Sequence, residues 1–232
     1  METIRVALIG KTGAGKSAFG NTLLGERKFK STASSESVTI KCETQTAMLP
    51  SGRQIKIVDT PGIMDTKGRE VGEEIANAIA ALAPGPHAFL IVLRPGRATA
   101  EEKEVIKELK GLFGDDTFLE HTIIVMTQKA DINDENEDPI DIHSYIDTLA
   151  HPSVKELYEM CGKRIIAVEN IHASKDEKKK YATDVIDEII KMGAYYPHAY
   201  FKMISKTKIK EKIEEKIERA AKEQVGWYCS IL

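Results

Sequence analysis

No stretch of this 232-residue sequence is apolar for long enough to cross a bilayer. The longest run, AFLIVL from Ala88 to Leu93, falls far short of the ~20 residues that a spanning helix needs. Nor does the start combine a basic segment with a long apolar core. Met1 leads almost directly into IRVALIG, so no signal peptide is expected. Cysteine is scarce: Cys42, Cys161 and Cys229 lie far apart without metal-type pairing, the usage of a reduced cytosolic protein. A dominant charge is also missing. The 33 Lys and Arg against 36 Asp and Glu give a formal charge of −3, which argues against a nucleic-acid-binding surface. The 6 histidines share no ligand spacing, and no Ser/His/Asp arrangement stands out. DINDENEDP (131–139) gathers acids but lacks the glycine and the terminal glutamate of a calcium loop, so it reads as a solvated loop.

What is present is a globular balance, 42% hydrophobic and 30% charged residues. The length suits one generous domain, or a domain with an appendage. Four short apolar runs, IRVALIG (4–10), HAFLIVL (87–93), HTIIVMT (121–127) and KRIIAVEN (163–170), alternate with amphipathic stretches. Runs apolar on both sides suit central strands covered by helices on both faces. VTIKCETQTAML and QIKIVDT flank a turn at Pro50 and Gly52, which predicts an antiparallel hairpin. Helical patterns fill 16–24, 70–82, 99–113, 140–160 and 175–192. The expected fold is a three-layer α/β domain of the P-loop type, a mostly parallel six-stranded sheet with one antiparallel edge strand. It occupies 1–195. A Lys- and Glu-rich helical extension over 196–225 and a short tail over 226–232 follow.

GKTGAGKS, from Gly10 to Ser17, fits the Walker A spacing. Gly10, Gly13 and Gly15 permit unusual backbone angles, so the N–H groups of Lys11, Thr12, Ala14 and Ala18 and their neighbours can turn around phosphate oxygens. Lys16 adds a charge reaching the β and γ oxygens, and the Ser17 hydroxyl is the expected Mg²⁺ ligand. The motif follows a strand and opens a helix, whose positive dipole end faces the phosphates. Asp59 ends the third apolar segment, and DTPG then places Gly62 where its N–H can meet a γ-phosphate. Asp59 is expected to hold Mg²⁺ through water. Several switch-loop hydroxyls could add a Mg²⁺ ligand; Thr39 is our choice, with Ser37 next.

Gln128-Lys129-Ala130-Asp131 follows a strand and approximates the guanine-reading Asn/Thr-Lys-x-Asp pattern, with Gln128 departing from it at the first place. The Asp131 carboxylate can accept from both N1–H and the exocyclic amine of guanine, a donor pair that adenine lacks. The Lys129 stem can lie across the base. An ATP-dependent P-loop enzyme is the weaker reading. Ile63 stands where related switches carry a water-orienting glutamine, and it has no hydrogen-bonding group.

Taken together, GKTGAGKSAFGNTLLG, SVTIKCE, DTPG, FLIVLRPGRATAEEKEVIKELKGLFGDD and CGKRIIAVENIHASKDEKKK resemble the immunity-associated GTPase family (GIMAP type), relatives of septins and chloroplast import GTPases. The resemblance covers residues 3–193. It implies a domain that binds GTP or GDP with Mg²⁺, hydrolyses GTP, forms a nucleotide-dependent homodimer and works at membranes. It also implies that Glu169 and Asn170 occupy the family's paired-asparagine position beside the base, Glu169 being a departure. Arg97 aligns with an arginine that reaches across the dimer, while nearby Arg94 fits less well. Thr99 and Glu102 form a credible capping box, which gives the same segment a structural reason to exist. Cys229-Ser230-Ile231-Leu232 fits a prenylation signal with geranylgeranyl preferred, and lysines of 202–222 would supply a second membrane contact. The expectation is a slow GTP hydrolase, sped by pairing, peripherally attached to the cytosolic face of a membrane. The alternative is a GTP-assembled membrane scaffold with negligible hydrolysis.

Overall fold

The computed structural model describes residues 3–31, 42–60, 80–96, 107, 110–111, 116–133 and 138–197. Its strands are β1 (Ile4–Ile9), β2 (Glu43–Met48), β3 (Gln54–Asp59), β4 (Ala88–Leu93), β5 (Thr122–Met126) and β6 (Ile165–Ala167). They form one six-stranded sheet in the order β2-β3-β1-β4-β5-β6. Only the β2–β3 pair is antiparallel, and it puts β2 at an edge. The expected strand count, the hairpin and the edge position all stand. Four α-helices are described: α1 (Lys16–Leu24), α2 (Ile142–Thr148), α3 (Pro152–Met160) and α4 (Lys175–Met192).

The period-2 pattern explains why the central strands read as unbroken apolar runs. Ile4, Val6 and Leu8 of β1 join Phe19, Leu23, Val185 and Ile189 on the face covered by α1 and α4. Ala7 and Ile9 join Tyr145, Ile146, Val154 and Leu157 on the face covered by α2 and α3. With both sides covered, β1 and β4 are buried throughout. β2 is half-buried and alternates, as an edge strand does: Thr44, Thr46 and Met48 are exposed.

Two expectations need correction. The pattern over 140–160 predicts a single helix, but the chain breaks it after Thr148 and restarts it at Pro152. Proline lacks an N–H and disfavours the helical conformation of the residue before it, so it serves as a first helical residue instead. His151 caps that restart, its ring nitrogen accepting from the Ser153 N–H at 3.3 Å. The run 163–170 also yields a shorter strand than expected. Gly162 and Lys163 both take φ near +61°, so the ladder begins only at Ile165. Helices expected over 70–82 and 99–113 fall largely outside the described residues.

At the amino ends of the strands a second cluster closes the molecule. Arg5 Nε donates to the Gly85 carbonyl at 2.6 Å, and its guanidinium lies 4.9 Å from the Tyr195 ring. Tyr196 is buried, its N–H donating to Pro86 O at 2.8 Å and its ring packing on Phe89 at 5.7 Å. The chain past α4 is thereby pinned beneath β1 and β4.

Candidate nucleotide site at the carboxyl ends of the strands

In an open α/β sheet the ligand crevice lies beyond the carboxyl ends of parallel strands, where the strand order reverses. Here β1 lies between β3 and β4, and the loop after β1 carries the glycine-rich motif. Gly10 is held at φ +148°, and a Cβ there would fall 2.4 Å from the Val92 carbonyl oxygen, so only glycine lets the loop start against β4. Gly15 precedes α1 at φ +96°. Lys16 is buried, and its Nζ donates to Gly10 O at 2.9 Å and Lys11 O at 2.8 Å, spanning the mouth of the loop. Lys11, Thr12 and Ala18 are partly buried around the same bend, and Gly13 is exposed at its tip.

The Ser17 hydroxyl donates to Asp59 Oδ2 at 2.5 Å, so the residues expected to serve a metal meet across 42 positions of sequence. Thr60 locks the end of β3, its hydroxyl donating to Leu8 O at 2.8 Å. A hydroxyl beside a fully buried carboxylate is a hard-oxygen donor set, which suits Mg²⁺. Among the described residues no His/Cys/Asp/Glu cluster forms a separate metal site.

The other side of the crevice is built by the loops after β5 and β6. Lys129 N–H donates to Val168 O at 3.1 Å and Val168 N–H to Met126 O at 2.8 Å, which joins the two loops. Gln128 takes φ +54°, and Lys129–Asp131 form a 3₁₀ turn. Lys129 and Asp131 are exposed at the rim, and Lys129 Nζ sits 5.8 Å from the centroid of the Tyr181 ring on α4. Asn170 reaches back to α1, its Oδ1 accepting from Thr22 Oγ1 at 3.2 Å. Its Nδ2 is buried without a hydrogen-bond partner, 3.6 Å from the Cβ position of Gly15, so a donor points toward the phosphate-loop side of the crevice.

Glu169, the departure at the paired-asparagine position, has main-chain partners. Its Oε1 accepts from the Ile171 N–H at 2.8 Å and the His172 N–H at 3.3 Å, while Oε2 faces the Ala130 N–H at 3.5 Å. The carboxylate is thus turned onto main-chain donors. The two closer bonds turn its own loop, and the third contact reaches toward the 128–131 loop.

Thr127 escaped the sequence reading. It is buried, its Oγ1 lies 2.8 Å from Ala14 O and 3.0 Å from Leu93 O, and its Cγ2 lies 3.2 Å from the Cβ position of Gly15. One hydroxyl therefore ties the phosphate loop to β4 and to the start of the base-side loop. The signal was a hydroxyl closing an apolar strand, one position before the place taken by Gln128. Arg94, which the sequence offered only as a poorer fit than Arg97, also borders the loop, its Nη1 lying 3.5 Å from Gly13 O. Thr39, Gly62, Ile63, Arg97 and Cys229 lie outside the described residues.

The family model for the AIG1 family matches residues 4–221. Immune-associated nucleotide-binding protein 10 of Arabidopsis thaliana is 35% identical over 178 residues; the match takes in 75% of this chain and 37% of that relative. The chain thus spans little more than a third of that relative's length. Toc33 of Arabidopsis thaliana in complex with GDP and Mg²⁺ superposes with a TM-score of 0.64 at 22% identity, covering 85% of this chain and 87% of that one. A further match, at TM-score 0.63, 18% identity and coverage of 85% and 86%, is to the chloroplast translocon components atToc33 and psToc159, for whose GTPase activity dimerisation is important. At these identities the two solved structures establish the fold.

Proposed function

The chain belongs to the AIG1 family, and from that membership and the site geometry we propose that it is a guanine-nucleotide switch that hydrolyses GTP slowly alone and faster when two subunits pair. The observation that carries this reading is the convergence at one crevice. The Ser17–Asp59 contact lies at its phosphate end, while the 128–131 loop and Asn170 lie on its base side. A lone phosphate site would not need the second half.

Within this reading the loop N–H groups and Lys16 cradle the phosphates, and α1 points its positive end at them. Ser17 and Asp59 would hold Mg²⁺, which neutralises charge on the β and γ oxygens. Asp131 at the rim accepts from the guanine N1–H and amine, Asn170 Nδ2 adds a buried donor, and Lys129 covers the base. Charge neutralisation by an arginine from a partner can raise phosphoryl-transfer rates ~10³–10⁵-fold, and Arg97 is our choice for it. The dependence of translocon GTPase activity on dimerisation supports pairing. The reading extends to a membrane surface, reached through a lipid on Cys229 and lysines of 202–222. Partition with membranes that is lost on Cys229→Ser tests that part.

The decisive experiment is size analysis with GDP, with a non-hydrolysable GTP analogue and without nucleotide, alongside single-turnover hydrolysis over a range of protein concentrations. Pairing with the analogue and turnover per subunit that rises with concentration are expected, and Arg97→Ala should remove the rise. Indifference to guanine nucleotides at millimolar levels overturns the reading. A second reading, a GTP-assembled scaffold with negligible hydrolysis, is favoured by Ile63; analogue-driven assembly with no turnover at any concentration would select it.

A further inference from the structure

Arg94 follows the last residue of β4, on the strand whose Val92 carbonyl abuts Gly10. Its backbone is fenced on both sides. Leu93 O accepts from the Thr127 N–H at 2.9 Å, and the Gly96 N–H donates to the Tyr145 hydroxyl at 3.1 Å. The side chain is less firmly engaged. Nη1 lies 3.5 Å from Gly13 O, well beyond the ~2.7–2.9 Å of a strong charge-assisted bond, and Nε is buried without a hydrogen-bond partner.

A half-buried guanidinium with one long contact and one orphaned donor is costly unless an acceptor arrives, because a buried polar group without a partner forfeits its hydration. The loop it touches is the phosphate loop, and phosphate oxygens are the acceptors that match the guanidinium fork. We propose that Arg94 is a same-subunit phosphate ligand: it leaves the Gly13 carbonyl and takes the terminal phosphate of the bound triphosphate. Its backbone stays where Thr127 and Tyr145 hold it, so only side-chain torsions change. This deepens the guanine-nucleotide reading and rests on it. It also separates two arginines by role. Arg94 serves the lone subunit, and Arg97 serves the pair.

The test compares unaltered protein with Arg94→Ala and Arg94→Lys. It measures affinity for GDP, affinity for a non-hydrolysable GTP analogue, and single-turnover GTP hydrolysis at dilutions where turnover per subunit no longer depends on concentration. Arg94→Ala should lose about tenfold or more in affinity for the analogue while GDP affinity changes little, and its dilute-limit rate should fall by about tenfold or more. Arg94→Lys should recover part of the affinity but little of the rate. Guanidinium added at millimolar levels should raise the rate of Arg94→Ala and not that of the unaltered protein, a response that a purely structural role would not give. Equal losses for GDP and the analogue in both variants, or no loss in either, overturn the Arg94 assignment and leave the switch reading standing. Failure of the unaltered protein to bind guanine nucleotide removes both. If Arg94→Ala melts far below the unaltered protein, Arg94→Lys decides on the same affinity ratio.

Discussion

Single atoms decide much of what this crevice can do. The Thr127 hydroxyl secures a carbonyl of the phosphate loop from a buried position. Thr127→Val keeps the shape and removes the donor, so nucleotide affinity should fall about tenfold, while Thr127→Ser should retain it; a fluorescent-nucleotide titration measures both. Gly10 admits no side chain at all. Gly10→Ala puts a methyl against the Val92 oxygen at a φ that disfavours it, so we expect about 2 kcal/mol or more of lost stability by denaturant unfolding. At the rim, Asp131→Asn replaces an acceptor with an amide that can also donate. Competition assays should show guanine losing its advantage while xanthine, which carries a carbonyl in place of the amine, gains. These spacings were legible because glycine, lysine and carboxylate in this order have few other uses. Thr127 was not legible, since a threonine ending a strand is ordinary until the fold brings Ala14 beside it. For Glu169 the departure was legible, but the main-chain donors that its carboxylate meets, Ile171 and His172, became visible only in the fold.

Among the elements, β1, β4, β5 and α4 were readable from period and composition, because a strand covered on both faces and a long amphipathic helix leave distinct patterns. The break between α2 and α3 was overlooked where apolar residues kept a helical spacing across Leu149 and Ala150, although Pro152 marked it. The start of α4 combines several devices. Ser174 caps it, its Oγ accepting from the Glu177 N–H at 3.2 Å, while the Glu177 carboxylate accepts from the Ser174 N–H at 2.8 Å. The bond from the Ser174 hydroxyl holds the Glu177 carboxyl below its ordinary value, and the Ser144 hydroxyl does the same for Asp141 at the start of α2. Both groups are depressed in the folded state. Their contribution is whole above the unfolded value and fades as pH falls through the folded one. Ser174→Ala should therefore lower stability near neutrality, with a gap to the unaltered protein that narrows below pH ~4. Urea unfolding at several pH values tests the trend. At the end of α3, burial pushes the Cys161 thiol up to about 12, so thiol reagents should leave it unmodified in the folded protein while reaching it in denaturant.

For the whole molecule, the sheet has two working ends. The carboxyl end carries the candidate nucleotide crevice. The amino end carries Arg5, His87, Phe89 and His121 around Tyr195 and Tyr196. Burial lowers the proton affinity of His121 in that cluster. Tyr196→Ala empties a fully buried aromatic site, so we expect about 3–5 kcal/mol of destabilisation and a melting point lower by roughly 10 °C. Chain ends placed after Pro197 should retain nucleotide binding and the melting point, whereas ends placed before Tyr195 should lose stability. A body whose described backbone finishes under its own floor has its doorway roughly 20 Å away, a strand's length overhead. A bulky group joined at Pro197 would therefore sit beneath the floor and leave the approach to the doorway clear.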